Sequence, residues 1–303
     1  MFSILGCGAI GSLVAWACDT NKLNYQLILR KTASKQIVRV QPFNLKNRPD
    51  SQELIEFSAP VRQKNSISHL ILPVKAYQVE SAIKALSGQI EANANIVLMH
   101  NGLGTAEIIR QYCPNATIIM ASTTHGAFQN APFSTVQTGL GETFFGYWDA
   151  KSGQVAPRGL IPLIQSFAPG YWDNNIKKRL WEKLAVNSVI NPITGLDQIK
   201  NGELLKPGYE QKVIALVKEF CLVSRLCGLD FEVEAIKTLI LTVAKNTAQN
   251  WSSMNRDIFY QRQTEIDFIN GYLIKQAATH DLQLPHNQAL FEQIKLVETS
   301  SHS

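Results

Sequence analysis

The sequence has no Cys-x-x-Cys pair, and its five cysteines, Cys7, Cys18, Cys113, Cys221 and Cys227, make no even framework. That speaks against a disulfide-stapled secreted fold and points to a reducing compartment. It also has no block of like charge. The formal charge of +5 arises from 29 basic and 24 acidic residues scattered along the chain, which suits an anionic small ligand and argues against nucleic acid. Beyond the first eighteen residues there is no uncharged apolar run of membrane-spanning length. Those eighteen are apolar, but no Lys or Arg precedes Lys22, so the basic start of a secretory signal is missing. The expectation is a cytoplasmic protein without membrane segments.

What is present is the composition of a globular enzyme-sized chain: 303 residues, 45% hydrophobic and 17% charged, enough for one large domain or two ordinary ones. Phe2 to Leu5 reads as a short strand, followed by Gly6-Cys7-Gly8-Ala9-Ile10-Gly11 and a helix from Ser12. Glycine at the first, third and sixth places of such a strand-turn-helix lets the chain turn, lets backbone approach a pyrophosphate, and lets helix pack on strand. The helix N-terminus then offers N–H groups to phosphate. The next strand, Tyr25 to Leu29, ends in Arg30 and Lys31, where NAD-binding units place a carboxylate for the ribose hydroxyl. Basic residues there suit a 2'-phosphate, so NADPH is the expected cofactor.

Further strands are expected at Ile37–Val40, Leu54–Val61, His69–Val74, Ile96–Met99 and Thr117–Met120, with helices at Glu80–Ile90, Thr105–Cys113 and Gly159–Phe167. The alternation describes an open, mostly parallel sheet covered by helices. Ser134–Thr138 and Thr143–Trp148 look like a late hairpin. Ligands of such sheets lie beyond the carboxyl ends of the strands. Lys75, after Leu70 to Val74, and Asn101, in His100-Asn101-Gly102-Leu103-Gly104, are therefore candidate ligand contacts unless they are ordinary punctuation.

Ala168-Pro169-Gly170 is a breaker cluster, and past Asn174 the pattern becomes helical, at Ile176–Ile190, Tyr209–Cys227, Val233–Asn246, Arg256–Ala278 and Asn287–Val297, with Thr299–Ser303 a fraying tail. The division is thus residues 1–170 and 171–303. In Leu180 to Thr194, LWEKLAVNSVINPIT, the polar residues Lys183, Asn187 and Asn191 fall at i, i+4 and i+8. Each step of four drifts by about 40°, so all three lie on one side of an otherwise apolar helix. Either they tie helices together or they line a site. Asn250-Trp251-Ser252-Ser253-Met254 offers a helix cap, and Thr264 to Gly271, TEIDFING, is expected within a helix whose buried face carries Ile266, Ile269 and Leu273.

Together GCGAIG, LPVKAYQ, HNGLG, TTHGA, WEKLAVNSVINPIT, KNGELL, NWSSM and TEIDFING closely resemble the ketopantoate reductases, in family order from Gly6 to Gly271. The resemblance implies an N-terminal Rossmann-type α/β domain, an all-helical C-terminal domain, and NADPH-dependent reduction of 2-dehydropantoate to pantoate in pantothenate biosynthesis. Carried over by position, it implies Lys183 and Glu265 as the catalytic pair. Asn101, Asn187, Asn191, Asn201 and Ser253 would contact substrate. On the cofactor side it implies the glycine turn (Gly6, Cys7, Gly8, Ala9, Ile10 and Gly11), Arg30, Lys75, Asn101 and Glu265, with no metal. The expected partner is the small-molecule substrate, in a monomer or homodimer. A reductase of another branched 2-oxo acid would share Lys183 and Glu265, whereas a non-catalytic NADPH-binding protein would have no need of them.

Overall fold

The computed structural model describes residues 1–30, 34–43, 54–62, 66–149 and 154–300. By contacts the chain divides into two units, Met1–His100 with Thr105–Lys177, and Asn101–Gly104 with Lys178–Ser303.

The first unit is an α/β domain. The strand β1 (Phe2–Leu5) is followed by α1 (Ala9–Thr20), β2 (Tyr25–Ile28), β3 (Lys35–Gln41), β4 (Ile55–Pro60), β5 (Ile67–Leu72), α2 (Val79–Leu86), β6 (Ile90–Leu98), α3 (Thr105–Tyr112) and β7 (Thr117–Thr123). Then come β8 (Gly126–Ala131), β9 (Ser134–Gly139), β10 (Thr143–Tyr147), α4 (Ile161–Ser166) and β11 (Gly170–Trp172). Among the described residues β11, β10, β7, β6, β5, β1 and β2 form a seven-stranded sheet in that order. Its central pairs are parallel, and only β10 against β7 is antiparallel. Central parallel strands are buried on both faces, so they read as continuous apolar runs. Leu70, Ile71 and Leu72 of β5, and Ile96, Val97 and Leu98 of β6, do so and are buried.

The structure corrects the expectation of a single sheet. β4, β3, β9 and β8 form a separate four-stranded sheet, and α1 touches β1 and β2 as well as β3, β4, β8 and β9. Helix α1 therefore buries two sides, with Leu13, Val14, Ala15 and Cys18 in one core with Val38, Val40, Phe57 and Ala59. The physical reason lies in the alternation of β3, Lys35-Gln36-Ile37-Val38-Arg39-Val40-Gln41, where Val38 and Val40 are buried and Arg39 is exposed. Period-two burial belongs to a sheet with one wet face, and could not serve the middle of a parallel sheet. The expected hairpin is also absent, because β9 pairs with β8 and β3 while β10 pairs with β7 and β11. Strand β6 starts at Ile90, earlier than expected, and shortens the preceding helix to Val79–Leu86.

The second unit is helical: α5 (Ile176–Asp197, whose first two residues fall in the first unit), α6 (Glu210–Leu226), α7 (Val233–Asn246), α8 (Ser253–Phe259), α9 (Asn270–Ala278) and α10 (Pro285–Ser300). Its core holds Trp181 of α5, whose ring lies 5.8 Å from Phe220 of α6 and 6.0 Å from Tyr272 of α9. Helix α5 runs beyond the expected Ile190 and continues through Pro192. The expected fraying of Thr299 and Ser300 does not occur, since both belong to α10. The single helix expected from Arg256 to Ala278 is broken. Glu265 and Ile269 leave helical geometry, and Ile266–Phe268 forms a 3₁₀ turn between α8 and α9. Residues three apart share a face in a 3₁₀ turn as well as in an α-helix, so Ile266 and Ile269 satisfy both readings. Among the described residues no helix is long and apolar enough to cross a membrane.

Candidate active site

In the first unit the glycine turn has the geometry its residue types demand. Gly6 sits at φ +80 and donates to Ile28 O at 2.9 Å, which ends β1 beside β2. A Cβ on Gly11 would stand 2.6 Å from Gly6 O, so helix and turn approach as closely as glycine permits. Gly8 differs, because a Cβ there would meet nothing within 4 Å. It is the N-cap of α1, no side chain caps that end, and the neighbouring first-turn N–H groups are those of Ala9 and Ile10. Open space before an uncapped helix N-terminus fits the pyrophosphate of a dinucleotide. Cys7 contributes backbone here. Its thiol is buried 3.3 Å from Ser12 Oγ, and burial pushes its pKa up, so it is no nucleophile.

Arg30 is exposed two residues past β2, and Lys31 lies outside the described residues. Lys75 follows β5, the strand beside β1, on a loop whose Val74 and Pro73 approach the positions of Gly6 and Gly11. Gln78 accepts the Lys75 backbone N–H at 3.2 Å and fixes that loop. The TTHGA motif has a packing role: His125 Nδ1 accepts the Gly141 N–H at 3.1 Å, which assigns its own proton to Nε2. Burial lowers the pKa of His125, in keeping with a neutral ring. His100 is likewise engaged at 2.7 Å by Thr105 Oγ1.

In the second unit, Asn101 and the 3₁₀ turn meet. Asn101 Nδ2 donates to Glu265 Oε2 at 3.3 Å, and the Leu103 N–H donates to Phe268 O at 2.8 Å. Gly102 is required twice, by φ +81 and because a Cβ would stand 2.3 Å from Phe268 O. Thr264 shapes the turn, with its Oγ1 accepting from Ile266 N and its own N–H donating to Glu298 Oε1. Glu265 is 4% exposed. Its carboxylate raises the pKa of Lys183, but the larger influence is loss of water around the Lys183 ammonium, so the net shift is downward. Lys183 is half-buried as a residue, and burial is the largest influence on its ammonium.

Four residues beyond Lys183 on α5, Asn187 is half-buried, and four beyond that Asn191 is 6% exposed. Neither side-chain amide bonds to another helix among the described residues, and neither is among the fully enclosed polar atoms left without a partner. Both follow Lys183 along α5 at steps of four residues. Asn201 behaves otherwise: Nδ2 donates to Thr247 Oγ1 at 2.9 Å, while its buried Oδ1 has no partner. Of the two serines, Ser252 is the cap, accepting from Asn255 N at 3.1 Å, and Ser253 is exposed at the first position of α8. Sequence reasoning missed Asn255, which is fully buried and donates from Nδ2 to Thr194 O at 2.7 Å, pinning the end of α5. A polar residue between Met254 and Ile258 was the available signal.

Comparison with known proteins gives a concordant result. The description "Ketopantoate reductase PanE/ApbA" matches residues 2–150, and its C-terminal counterpart matches residues 175–298. A 2-dehydropantoate 2-reductase of Vibrio cholerae is 32% identical over 304 residues, spanning 98% of this chain and 97% of its own. A D-mandelate dehydrogenase solved with NADH and anilino(oxo)acetate superposes with a TM-score of 0.88 at 20% identity, over 100% of both chains. A dimeric ketopantoate reductase of Staphylococcus aureus gives 0.84 at 20% identity over 99% of each. The two structures share the fold, and the full-length sequence match carries the assignment: the chain is an enzyme of the ketopantoate reductase family, an NAD(P)H-dependent oxidoreductase group.

Proposed function

We propose that the protein reduces 2-dehydropantoate to pantoate with NADPH. The observation that carries this reading is the Lys183 ammonium, desolvated and opposed by the Glu265 carboxylate, on the helix that presents Asn187 and Asn191 with free amides. NADPH, when bound, supplies the hydride. The glycine turn and the N-terminus of α1 would hold its pyrophosphate, Arg30 its 2'-phosphate, and Lys75 would contact it from the neighbouring strand end.

Reduction of a ketone leaves negative charge on the carbonyl oxygen. Lys183 Nζ stabilises that charge and delivers the proton to the same oxygen. Glu265 holds the lysine, and Asn101 orients Glu265. Asn187 and Asn191 offer donors and acceptors to the substrate hydroxyl, Asn201 supports that contact, and Ser253 meets the carboxylate. We also assign catalysis to the helical region from residue 171 and cofactor binding to residues 1–170. We further assign it as a monomer or homodimer in the cytoplasm.

The test is ketopantoate-dependent loss of NADPH absorbance, run in parallel with NADH and with the deoxy analogue that lacks the hydroxyl. Turnover of ketopantoate with NADPH is expected. Equal turnover of the analogue would make the protein a general branched 2-oxo acid reductase, and no turnover of either would leave a non-catalytic NADPH-binding protein.

A further inference from the structure

Helix α5 carries a proline, Pro192, at its sixth residue from the end, in a run that must hold Lys183, Asn187 and Asn191 in line. The backbone N–H that would close onto Ser188 O belongs to position 192, and Pro192 has none. That carbonyl is nevertheless bonded. Asn270 Nδ2 donates to Ser188 O at 2.9 Å from the first residue of α9, five residues after Glu265. Its second N–H goes to Asn287 Oδ1 at 2.9 Å.

Asn287 cannot turn over, because its Nδ2 donates to Glu219 Oε2 at 2.7 Å, where the Asn287 backbone N–H also donates at 2.9 Å. Glu219 Oε1 takes the His286 N–H at 2.8 Å, so one buried carboxylate of α6 caps α10 and sets the sense of the whole chain. Asn270 is wholly buried, and its Oδ1 has no partner. The site therefore uses the two donors of this amide and leaves its acceptor idle.

We propose that Asn270 is a positioning residue for the reductase: it replaces the helical donor removed by Pro192 and so fixes α5 between Asn187 and Asn191 relative to the Glu265 turn. Glu219, acting through Asn287, fixes the Asn270 amide. The assignment rests on the proposed function for its catalytic meaning, though not for the coupling itself.

The decisive experiment is a cycle of Asn270→Ala, Pro192→Ala and the double variant, with kcat, the KM for NADPH and amide hydrogen exchange over residues 183–195 measured on each. Asn270→Ala should lower kcat by about 10- to 100-fold, the scale of a misplaced catalytic group, with the KM for NADPH unchanged. In the Pro192→Ala background Ser188 O regains a helical donor, so adding Asn270→Ala should cost less than it does alone. Losses that multiply, or an Asn270→Ala enzyme with full kcat, would overturn the proposal. Should Asn270→Ala fail to fold, Glu219→Gln sets a donor against one of three N–H groups and should lower kcat in folded protein; unchanged kcat there overturns it too. If the wild type shows no turnover of ketopantoate, the functional reading fails by itself. Exchange then decides the coupling: faster exchange in Asn270→Ala, relieved by Pro192→Ala, supports it, and unchanged exchange defeats it.

Discussion

An ammonium that has lost its water holds its proton less firmly, and Lys183 is in that condition. In the proposed role of proton donor it must be charged, so turnover should fall as pH rises through a pKa below the ordinary lysine range. The Glu265 carboxylate works in the opposite direction, and Glu265→Gln should move that alkaline limb to still lower pH. A pH profile of kcat for the two proteins checks both signs, and a limb that does not move would separate Glu265 from the lysine. Stability follows from the same shift. Folded Lys183 releases its proton more readily than unfolded lysine, so the folded state gains stability as pH rises from the lowered pKa toward about 10.4. Lys183→Ala should reduce turnover by roughly 10² to 10⁴ while NADPH still binds, since the glycine turn belongs to the other unit. Activity retained by a merely less stable variant would remove the lysine from the mechanism.

At the scale of elements, Gly8 and Gly11 should respond differently to the same added methyl group. Gly11→Ala drives a Cβ to 2.6 Å from a backbone oxygen, so α1 must shift and the melting temperature should fall along with cofactor affinity. Gly8→Ala meets no protein atom within 4 Å, so it should leave folding nearly intact and weaken NADPH binding tenfold or more. Paired melting curves and NADPH titrations check the contrast, and a Gly8→Ala protein with normal affinity would place the pyrophosphate elsewhere. The glycine turn was legible in the sequence because each glycine answers a local demand. So was the polar line of α5, since a 3.6 period survives any arrangement of neighbours. The second sheet was not legible, because Lys35–Gln41 declares which side is wet without naming its partners, and β9 reaches β3 from far along the chain. TEIDFING misled for a different reason, its spacing of three being common to both kinds of helix.

At the scale of the whole molecule, a loop from the first half of the chain belongs by contact to the unit built from the second. Gly102→Ala, at φ +81 and against Phe268 O, should therefore damage the helical unit by about 1 to 2 kcal/mol or more. Hydrogen exchange should quicken over residues 264–270 while NADPH binding by the first unit persists; quickening confined to the first unit would contradict the assignment. Asn101 and its partner Glu265 are 164 residues apart. At about 5 to 20 residues per second, a ribosome that has made the loop needs roughly 8 to 33 s more to make the turn that receives it. During translation the four residues wait behind β6 while the rest of the sheet is made, and they meet the turn that carries Glu265 only when little of the chain remains to be synthesised.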